Sequence, residues 1–317
     1  MKIDNNTKFN STILTDGGLE TELIFKHDID LPHFASFPMF DKPKYQNIFR
    51  NYFREYLEVA KKNKTGFILE SPTWRASPDW GFKLGYSAQE IAKVNERAVK
   101  LVQELKAEYE DDIDLVIISG CIGPRSDGYL VGELMEPNEA KKFHLLQLKA
   151  LKNAGAQIIT AQTMTNSNEG LGIVLAAKEN EIPVVISFTV ELDGNLPTGE
   201  SLESVINKID EITDKYPAYY MINCAHPSHF IGQFENNGDW KLRIKGVRSN
   251  ASCKSHAELN ECTELDAGNA QDLANWHQKL KAHLPNLIVY GGCCGTDVSH
   301  IRSICEKVIH LAFKGKS

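Results

Sequence analysis

Eight short apolar runs recur along the chain, and each is followed by a turn and then by residues with helical spacing. Most runs are continuous rather than alternating, which is typical of strands buried on both faces of a parallel sheet. Eight such strands separated by helices predict an α/β fold, a (β/α)8 TIM barrel, with residues 1–317 forming a single domain. The predicted strands lie within 12–18, 66–74, 115–124, 157–164, 184–190, 219–227, 242–252 and 287–295.

Helical patterns fill the gaps between these runs. Residues 87–109 begin with Ser87 and Glu90, a capping-box pair, and further helices are predicted over 137–153 and 297–313. The rival fold is a doubly wound open sheet. Neither GxGxxG nor GxxxxGK[ST] occurs, so the usual nucleotide-binding signatures are missing. Residues 26–45 and 251–268 are expected to be long loops.

Composition limits the partners and the compartment. The net charge of -7 disfavours nucleic acid, which requires clustered Lys and Arg. No apolar run is long enough to span a bilayer, and the polar N-terminus has no signal segment, so we expect a cytoplasmic protein without a membrane partner. The seven cysteines are unevenly spaced, which favours reduced thiols or metal ligands over a disulfide framework.

Polar and reactive side chains collect at the carboxyl ends of the predicted strands. In a barrel these ends meet at one mouth, where active sites of this fold lie. The residues concerned are Asp16, Glu70, Cys121, Gln162, Cys224, Asn250, Cys293 and Cys294.

The stretch GGCCG, residues 291–295, is the most unusual of these ends. Adjacent cysteines in a regular strand point to opposite faces, but the flanking glycines free the backbone from strand geometry. Cys293 and Cys294 could therefore turn toward Cys224, at the end of predicted strand six. Three thiolates at one point suggest zinc with an open fourth position, as in catalytic sites. A thiol substrate is a good candidate for that position, because zinc deprotonates a coordinated thiol.

Other interpretations of the thiols remain open. A vicinal Cys293–Cys294 disulfide or redox pair would need no Cys224, and a lone cysteine is most often a small buried apolar residue. A zinc site of three thiolates is also oxidisable, and we expect metal loss to accompany oxidation of Cys293 with Cys294.

Several motifs together resemble the homocysteine S-methyltransferase family. They are GGCCGT followed by SHI, NCAHP in strand six, DGGLETEL at 16–23, ISFTV with the later GESL, and FHLLQLKALKNAGAQII at 143–159. The resemblance covers essentially the whole chain. It implies a zinc-dependent (β/α)8 barrel that transfers a methyl group to homocysteine sulfur. Family donors are betaine, S-methylmethionine, S-adenosylmethionine or, through cobalamin, methylfolate.

The resemblance also implies roles for particular residues. Cys224, Cys293 and Cys294 would be the zinc ligands. Asp16 would bind the ammonium of homocysteine, with the backbone of Gly17 and Gly18 holding its amino acid end. The expected substrate-binding set also includes Glu70, Gln162 and Asn223. No catalytic residue is expected beyond the zinc-activated substrate thiol.

The chain departs from the family pattern where the ammonium is expected to bind. Gln162 stands where the family usually has a glutamate, so a hydrogen-bond acceptor remains but the charge is lost. Glu70 is expected either to supply the displaced charge or to take a supporting role. Glu20 replaces a usual glycine in the first loop.

Further departures concern the methyl donor. Arg75 replaces an aromatic residue of betaine-using members, which disfavours betaine, because a quaternary ammonium prefers aromatic faces. In strand seven, RSNAS at 248–252 retains only Asn250 of the YPN found in S-methylmethionine-type members. Since residues 1–317 are expected to form one barrel with no spare domain for cobalamin or folate, we do not expect a complete cobalamin-dependent enzyme.

These patterns predict a zinc-dependent S-methyltransferase that moves a methyl group from S-methylmethionine or S-adenosylmethionine to homocysteine, giving methionine. The same barrel acting on a different thiol or methylated metabolite is one alternative. A non-catalytic zinc or thiol-redox protein is another. The donor and the oligomeric state are left open.

Overall fold

A computed structural model describes residues 12–235 and 238–314. Eight parallel strands form a closed barrel in chain order, and β1 pairs with both β2 and β8. The predicted (β/α)8 TIM barrel is therefore confirmed. The strands are β1 Ile13–Leu14, β2 Gly66–Glu70, β3 Val116–Ile122, β4 Ile158–Met164, β5 Val184–Phe188, β6 Tyr219–Asn223, β7 Ile244–Ser249 and β8 Val289–Gly292.

Helices surround the barrel and connect its strands. Ser87 and Glu90 form the predicted capping box, which begins the helix Ala88–Glu108. The described helices are α1 Leu19–Phe25, α2 Pro43–Asn63, α3 Pro78–Lys83, α4 Ala88–Glu108, α5 Pro137–Asn153, α6 Ser167–Glu179, α7 Leu202–Thr213, α8 Pro227–Phe230, α9 His256–Asn260, α10 Ala270–His283 and α11 Val298–Lys314. No helix in the described ranges combines the length and the apolar character needed to cross a membrane.

Two apolar layers fill the molecule. Strand side chains alternate between the barrel interior and the helices. Ile13, Ile68, Ile117 and Val289 belong to a small buried cluster formed almost wholly by strand residues, separate from the larger one that packs the helices. This cluster fills the barrel at the amino-terminal parts of the strands. Polar side chains lie instead at the carboxyl ends, where they line the mouth.

Both predicted long loops contain short helical turns. Residues 26–45 include 3-10 helices Pro32–Phe34 and Phe37–Asp41, and the side chains of Phe37 and Met39 are buried. The connection after β7 includes the five-residue α9. The apolar run at 12–18 gives only the two-residue β1, because the chain turns at the glycines to enter α1.

Candidate active site

Three thiols meet at the barrel mouth. Cys224 follows β6, Cys293 and Cys294 follow β8, and the three Sγ atoms lie within 4.8 Å of one another. Cys224 and Cys293 form a disulfide with 5.3 Å between their Cα atoms, while Cys294 is free. The expectation that Cys293 is oxidised together with Cys294 is therefore wrong, because the turn after β8 directs Cys293 toward β6 instead.

The side chain of Asn223 fixes the position of Cys224 through hydrogen bonds. Cys224 and Thr163 both have left-handed backbones, with φ of 54° and 62°, which are uncommon for such residues. The fully buried amide of Asn223 accepts from Thr163 N at 2.9 Å and donates to Thr163 Oγ1 at 2.8 Å and to Cys224 Sγ at 3.1 Å. Its side chain does not line the cavity, so its contact is with the thiol.

A buried arginine lies between two carboxylates beside the thiols. Arg248 Nη1 lies 3.0 Å from Asp16 Oδ1 and also pairs with Glu70. Its Nε donates to Gly292 O at 3.0 Å and its Nη2 to Gly17 O at 3.1 Å. Arg248 thus connects β7 to the ends of β1, β2 and β8.

Glu70 and Gln162 form a second contact in this cluster. The Gln162 amide donates to Glu70 Oε2, which also accepts from Arg248. Burial raises the pKa of Glu70 to about 7, although Arg248 opposes the shift. Glu70, the acid expected to supply the charge missing at Gln162, therefore does lie beside Gln162, but Arg248 already pairs with it.

The Asp16-Gly17-Gly18 turn packs directly against the thiol-bearing turn. Asp16 Oδ2 accepts a hydrogen bond from Tyr52 at 2.9 Å. A Cβ on Gly18 would lie 2.5 Å from the carbonyl oxygen of Cys293, and one on Gly17 would lie 2.8 Å from that of Thr296. Glycine is therefore required here for close backbone approach, whatever the substrate needs.

These groups surround a cavity of about 230 Å³ at the carboxyl ends of the strands. Its wall includes the three cysteines, the Asp16 turn, Glu70, Gln162 and Arg248. The remaining wall includes aromatic side chains, and those of Phe34 and Trp74 meet edge to face at 6.4 Å between ring centroids. The cavity thus combines thiols, carboxylates and an apolar face.

Arg75 reinforces the aromatic wall. Its guanidinium carbon lies 4.4 Å from the ring centroid of Trp74 and 3.8 Å from that of Trp80. Its Nη1 donates to Ser126 O at 2.8 Å, and its Nη2 lies 3.2 Å from Asp127. A cation therefore already occupies the face of Trp74 in this structure.

Tyr129 connects the cavity wall to the free thiol. Its hydroxyl donates to Cys294 Sγ at 3.4 Å, and its ring stacks on His256 with centroids 4.0 Å apart. Burial raises the pKa of the Cys294 thiol to about 11. Without a metal, Cys294 is therefore a neutral thiol at physiological pH.

Three of these residues have no role that the sequence predicts. Arg248 belongs to the RSNAS segment, and a guanidinium at the end of a buried strand is a signal that counter-charges lie nearby. Tyr52 in α2 and Tyr129 in the loop after β3 give no such signal, since both reach the site only through tertiary packing.

The model of one family, described as homocysteine S-methyltransferase, matches residues 13–308. The chain belongs to the homocysteine S-methyltransferase family. It is accordingly a methyltransferase-type enzyme, as the sequence predicts.

Named relatives agree with this assignment. Homocysteine S-methyltransferase 4 of Zea mays is 25% identical, over 93% of this chain and 89% of that protein. Selenocysteine Se-methyltransferase of Brassica oleracea var. italica is 24% identical, over 93% and 88%. The oxidised form of the homocysteine methyltransferase MmuM from Escherichia coli superposes with a TM-score of 0.74 at 17% identity, covering 96% of each chain. The metallated form of MmuM superposes with a TM-score of 0.72, covering 94% of this chain and 96% of that one. These likenesses support the fold.

Proposed function

We propose that this protein is a zinc-dependent homocysteine S-methyltransferase that uses a sulfonium donor, S-methylmethionine or S-adenosylmethionine, and forms methionine. The observation that carries the proposal is the meeting of Cys224, Cys293 and Cys294 on the wall of the mouth cavity. Membership of the family supplies the reaction class. The relatives' names support homocysteine as the acceptor, and the metallated form of MmuM supports a metal.

The thiol cluster fits zinc once the disulfide is reduced. Tetrahedral zinc with Zn–S of about 2.3 Å separates its sulfur ligands by about 3.8 Å. The three sulfur atoms lie within 4.8 Å of one another, and reduction of the Cys224–Cys293 bond would let those two sulfurs move apart to this spacing. Three sulfur donors leave one position for a substrate thiol. Bound zinc would supply an activated thiolate at neutral pH. Asn223 donates to Cys224 and Tyr129 to Cys294, and both contacts would orient the ligands.

The rest of the site binds and aligns the two substrates. Methyl transfer between sulfur atoms moves no proton, so the protein contributes orientation more than acid–base chemistry. Asp16, Gly17, Gly18, Glu70 and Gln162 surround the end of the cavity proposed for the amino acid. Phe34 lines the cavity where a sulfonium donor would lie. Arg75, which stands where betaine-using members have an aromatic residue, weighs against betaine. Asn223 acts through Cys224 in this proposal, rather than by touching substrate.

The proposal places the enzyme in the cytoplasm, as one barrel domain spanning residues 1–317. Three cysteines act as metal ligands only when they are reduced, and the cytoplasm is a reducing compartment.

The proposal is tested by incubating reduced, zinc-loaded protein with homocysteine and one donor at a time: S-methylmethionine, S-adenosylmethionine or betaine. We expect methionine with a sulfonium donor and none with betaine. Stoichiometric zinc with no product from any donor would contradict the assignment.

A second candidate keeps the same barrel but changes the acceptor to another thiol. It is favoured by Arg248, which offsets the charge of Asp16 and Glu70 where a substrate ammonium is expected. A screen of thiols by thermal shift on the zinc-loaded protein would separate the two, because the true acceptor should stabilise the protein at the lowest concentration.

A further inference from the structure

Four carboxylates line the cavity, and three of them face an arginine. Arg248 pairs with two, and Arg75 with a third at 3.2 Å. The remaining one, Glu20, has no Lys, Arg or His nitrogen within 4 Å among the described residues. The four are Asp16, Glu20, Glu70 and Asp127.

Glu20 is held in the cavity by a neutral contact. It lies in the first turn of α1, and its Oε1 accepts a hydrogen bond from the Ser36 hydroxyl at 2.8 Å. Burial raises the pKa of Glu20, and the Ser36 contact opposes the shift. Arg248 and Arg75 act on Glu20 only from beyond ion-pair distance. A cationic ligand that reached Glu20 would therefore supply the direct ion pair that these arginines do not.

Glu20 is also close to the thiols. Glu20 and the three cysteines line the same cavity, and Gly18, two residues before Glu20, packs so closely that a Cβ on it would lie 2.5 Å from the carbonyl oxygen of Cys293. In homocysteine, three carbon atoms separate the sulfur from the nitrogen. An acceptor whose sulfur lay at the thiol cluster would therefore carry its ammonium only a short distance along the cavity wall.

We infer that Glu20 binds the ammonium group of the acceptor amino acid. The inference rests on the proposed function, and it assigns this role to the one cavity carboxylate without an arginine partner in the described structure. Asp16 and Glu70 then serve mainly to hold Arg248 and the turns around it.

The test compares two acceptors that differ only in the ammonium, homocysteine and 4-mercaptobutanoate. Their affinities for reduced, zinc-loaded protein are measured by calorimetry without a methyl donor. Glu20→Gln should weaken homocysteine binding about 10- to 100-fold, the effect of removing one charge-assisted hydrogen bond. Binding of 4-mercaptobutanoate should change less than about threefold.

Two further variants separate this role from a structural one. Glu55→Gln removes an exposed negative charge on α2 and should leave both affinities unchanged. Ser36→Ala removes the contact that anchors Glu20 and should weaken homocysteine binding less than Glu20→Gln does. A Ser36→Ala loss as large as that of Glu20→Gln would overturn the inference.

The outcomes also separate the inference from the proposed function. Equal weakening of both thiols by Glu20→Gln, or no change in either, would overturn the inference and leave the methyltransferase proposal standing. Selective weakening of homocysteine in a protein that transfers no methyl group would support the inference and contradict the function. Wild-type protein that bound neither thiol would overturn both.

Discussion

Arg248 is the residue on which the charge balance of the cavity depends. Burial acts to lower its pKa, but Asp16 and Glu70 outweigh burial and hold the pKa above its usual value. Since the guanidinium also donates to two backbone carbonyls, it contributes both charge and geometry. Removing it would leave two buried carboxylates without their cation.

Arg248→Met is expected to lower the free energy of unfolding by about 3–5 kcal/mol, the usual effect of breaking a buried ion pair. Urea unfolding of the reduced protein measures this change. The control is Arg54→Met, which breaks a half-exposed pair with Glu108 and should cost less than about 1 kcal/mol. Equal effects of the two variants would contradict the role given to Arg248.

Glu70 should make stability depend on pH. Its pKa of about 7 in the folded protein lies above the ordinary value of 4.5, so the folded state binds more protons between these two values. Stability attributable to this group is therefore retained at low pH and lost as the pH rises through 7. Relative to wild type, Glu70→Gln should gain about 2 kcal/mol in unfolding free energy between pH 5 and pH 8.

Urea unfolding of reduced, metal-free wild type and Glu70→Gln at both pH values measures this gain. A constant difference between the two proteins would show that Glu70 titrates at the same pH in the folded and unfolded states.

At the residue scale, the sequence predicts chemistry that is encoded locally. The paired cysteines between glycines, with Cys224 at another strand end, identify the thiol cluster because strand ends converge in a barrel. The partners of the carboxylates are not local. Arg248 meets Asp16 and Glu70 only after β1, β2 and β7 close into one sheet, and Tyr52 reaches Asp16 across 36 residues.

The turn after β1 and the turn after β8 are the elements that shape the metal site. Gly18 N donates to Thr296 O at 3.0 Å, and Thr296 N donates to Cys293 O at 3.1 Å. The carbonyl of Cys293 also fills the space where a side chain on Gly18 would lie. The position of the β8 thiols therefore depends on a glycine at the other end of the chain.

Gly18→Ala is expected to displace the turn that carries Cys293 and Cys294, because the new Cβ would lie 2.5 Å from a backbone oxygen. Zinc bound per protein should fall well below one, as measured by atomic absorption after reduction and dialysis. Cys224→Ser should give the same loss by removing a ligand.

The matched control is Gly232→Ala, where an added Cβ meets no atom within 4 Å. It should keep the zinc content of wild type. Unchanged zinc in Cys224→Ser would contradict the three-ligand site, and unchanged zinc in Gly18→Ala would contradict the coupling of the two turns.

At the element scale, the strands follow from continuous apolar runs, and α4 follows from its capping box. The short helices in the long connections cannot be predicted from local sequence in this way. The 3-10 helix Phe37–Asp41 is stabilised by burying Phe37 and Met39 against the core, a tertiary effect that local spacing does not reveal.

For the whole molecule, the thiol cluster links strands that are distant in sequence. Cys224 and Cys293 are 69 residues apart, and the metal proposed here would join the ends of β6 and β8 in the folded state alone. Zinc should therefore stabilise the fold by binding only the native arrangement of thiols.

Zinc at a free concentration 100 times its dissociation constant should stabilise reduced protein by about 2.7 kcal/mol and raise its Tm by about 5 °C. The protein with the Cys224–Cys293 disulfide intact should show no such rise, because two ligands are lost to the bond. Differential scanning calorimetry measures both. An equal rise with and without the disulfide would indicate that the metal binds elsewhere.

The central claim is that the thiol cluster activates the acceptor for methyl transfer. The decisive measurement is the rate of methionine formation from homocysteine and a sulfonium donor by reduced, zinc-loaded wild type, Cys224→Ser and Cys253→Ser, the last removing an exposed thiol outside the cluster. We predict a wild-type rate for Cys253→Ser and a loss of at least about 100-fold for Cys224→Ser. Methionine formation by Cys224→Ser at the wild-type rate would contradict the claim.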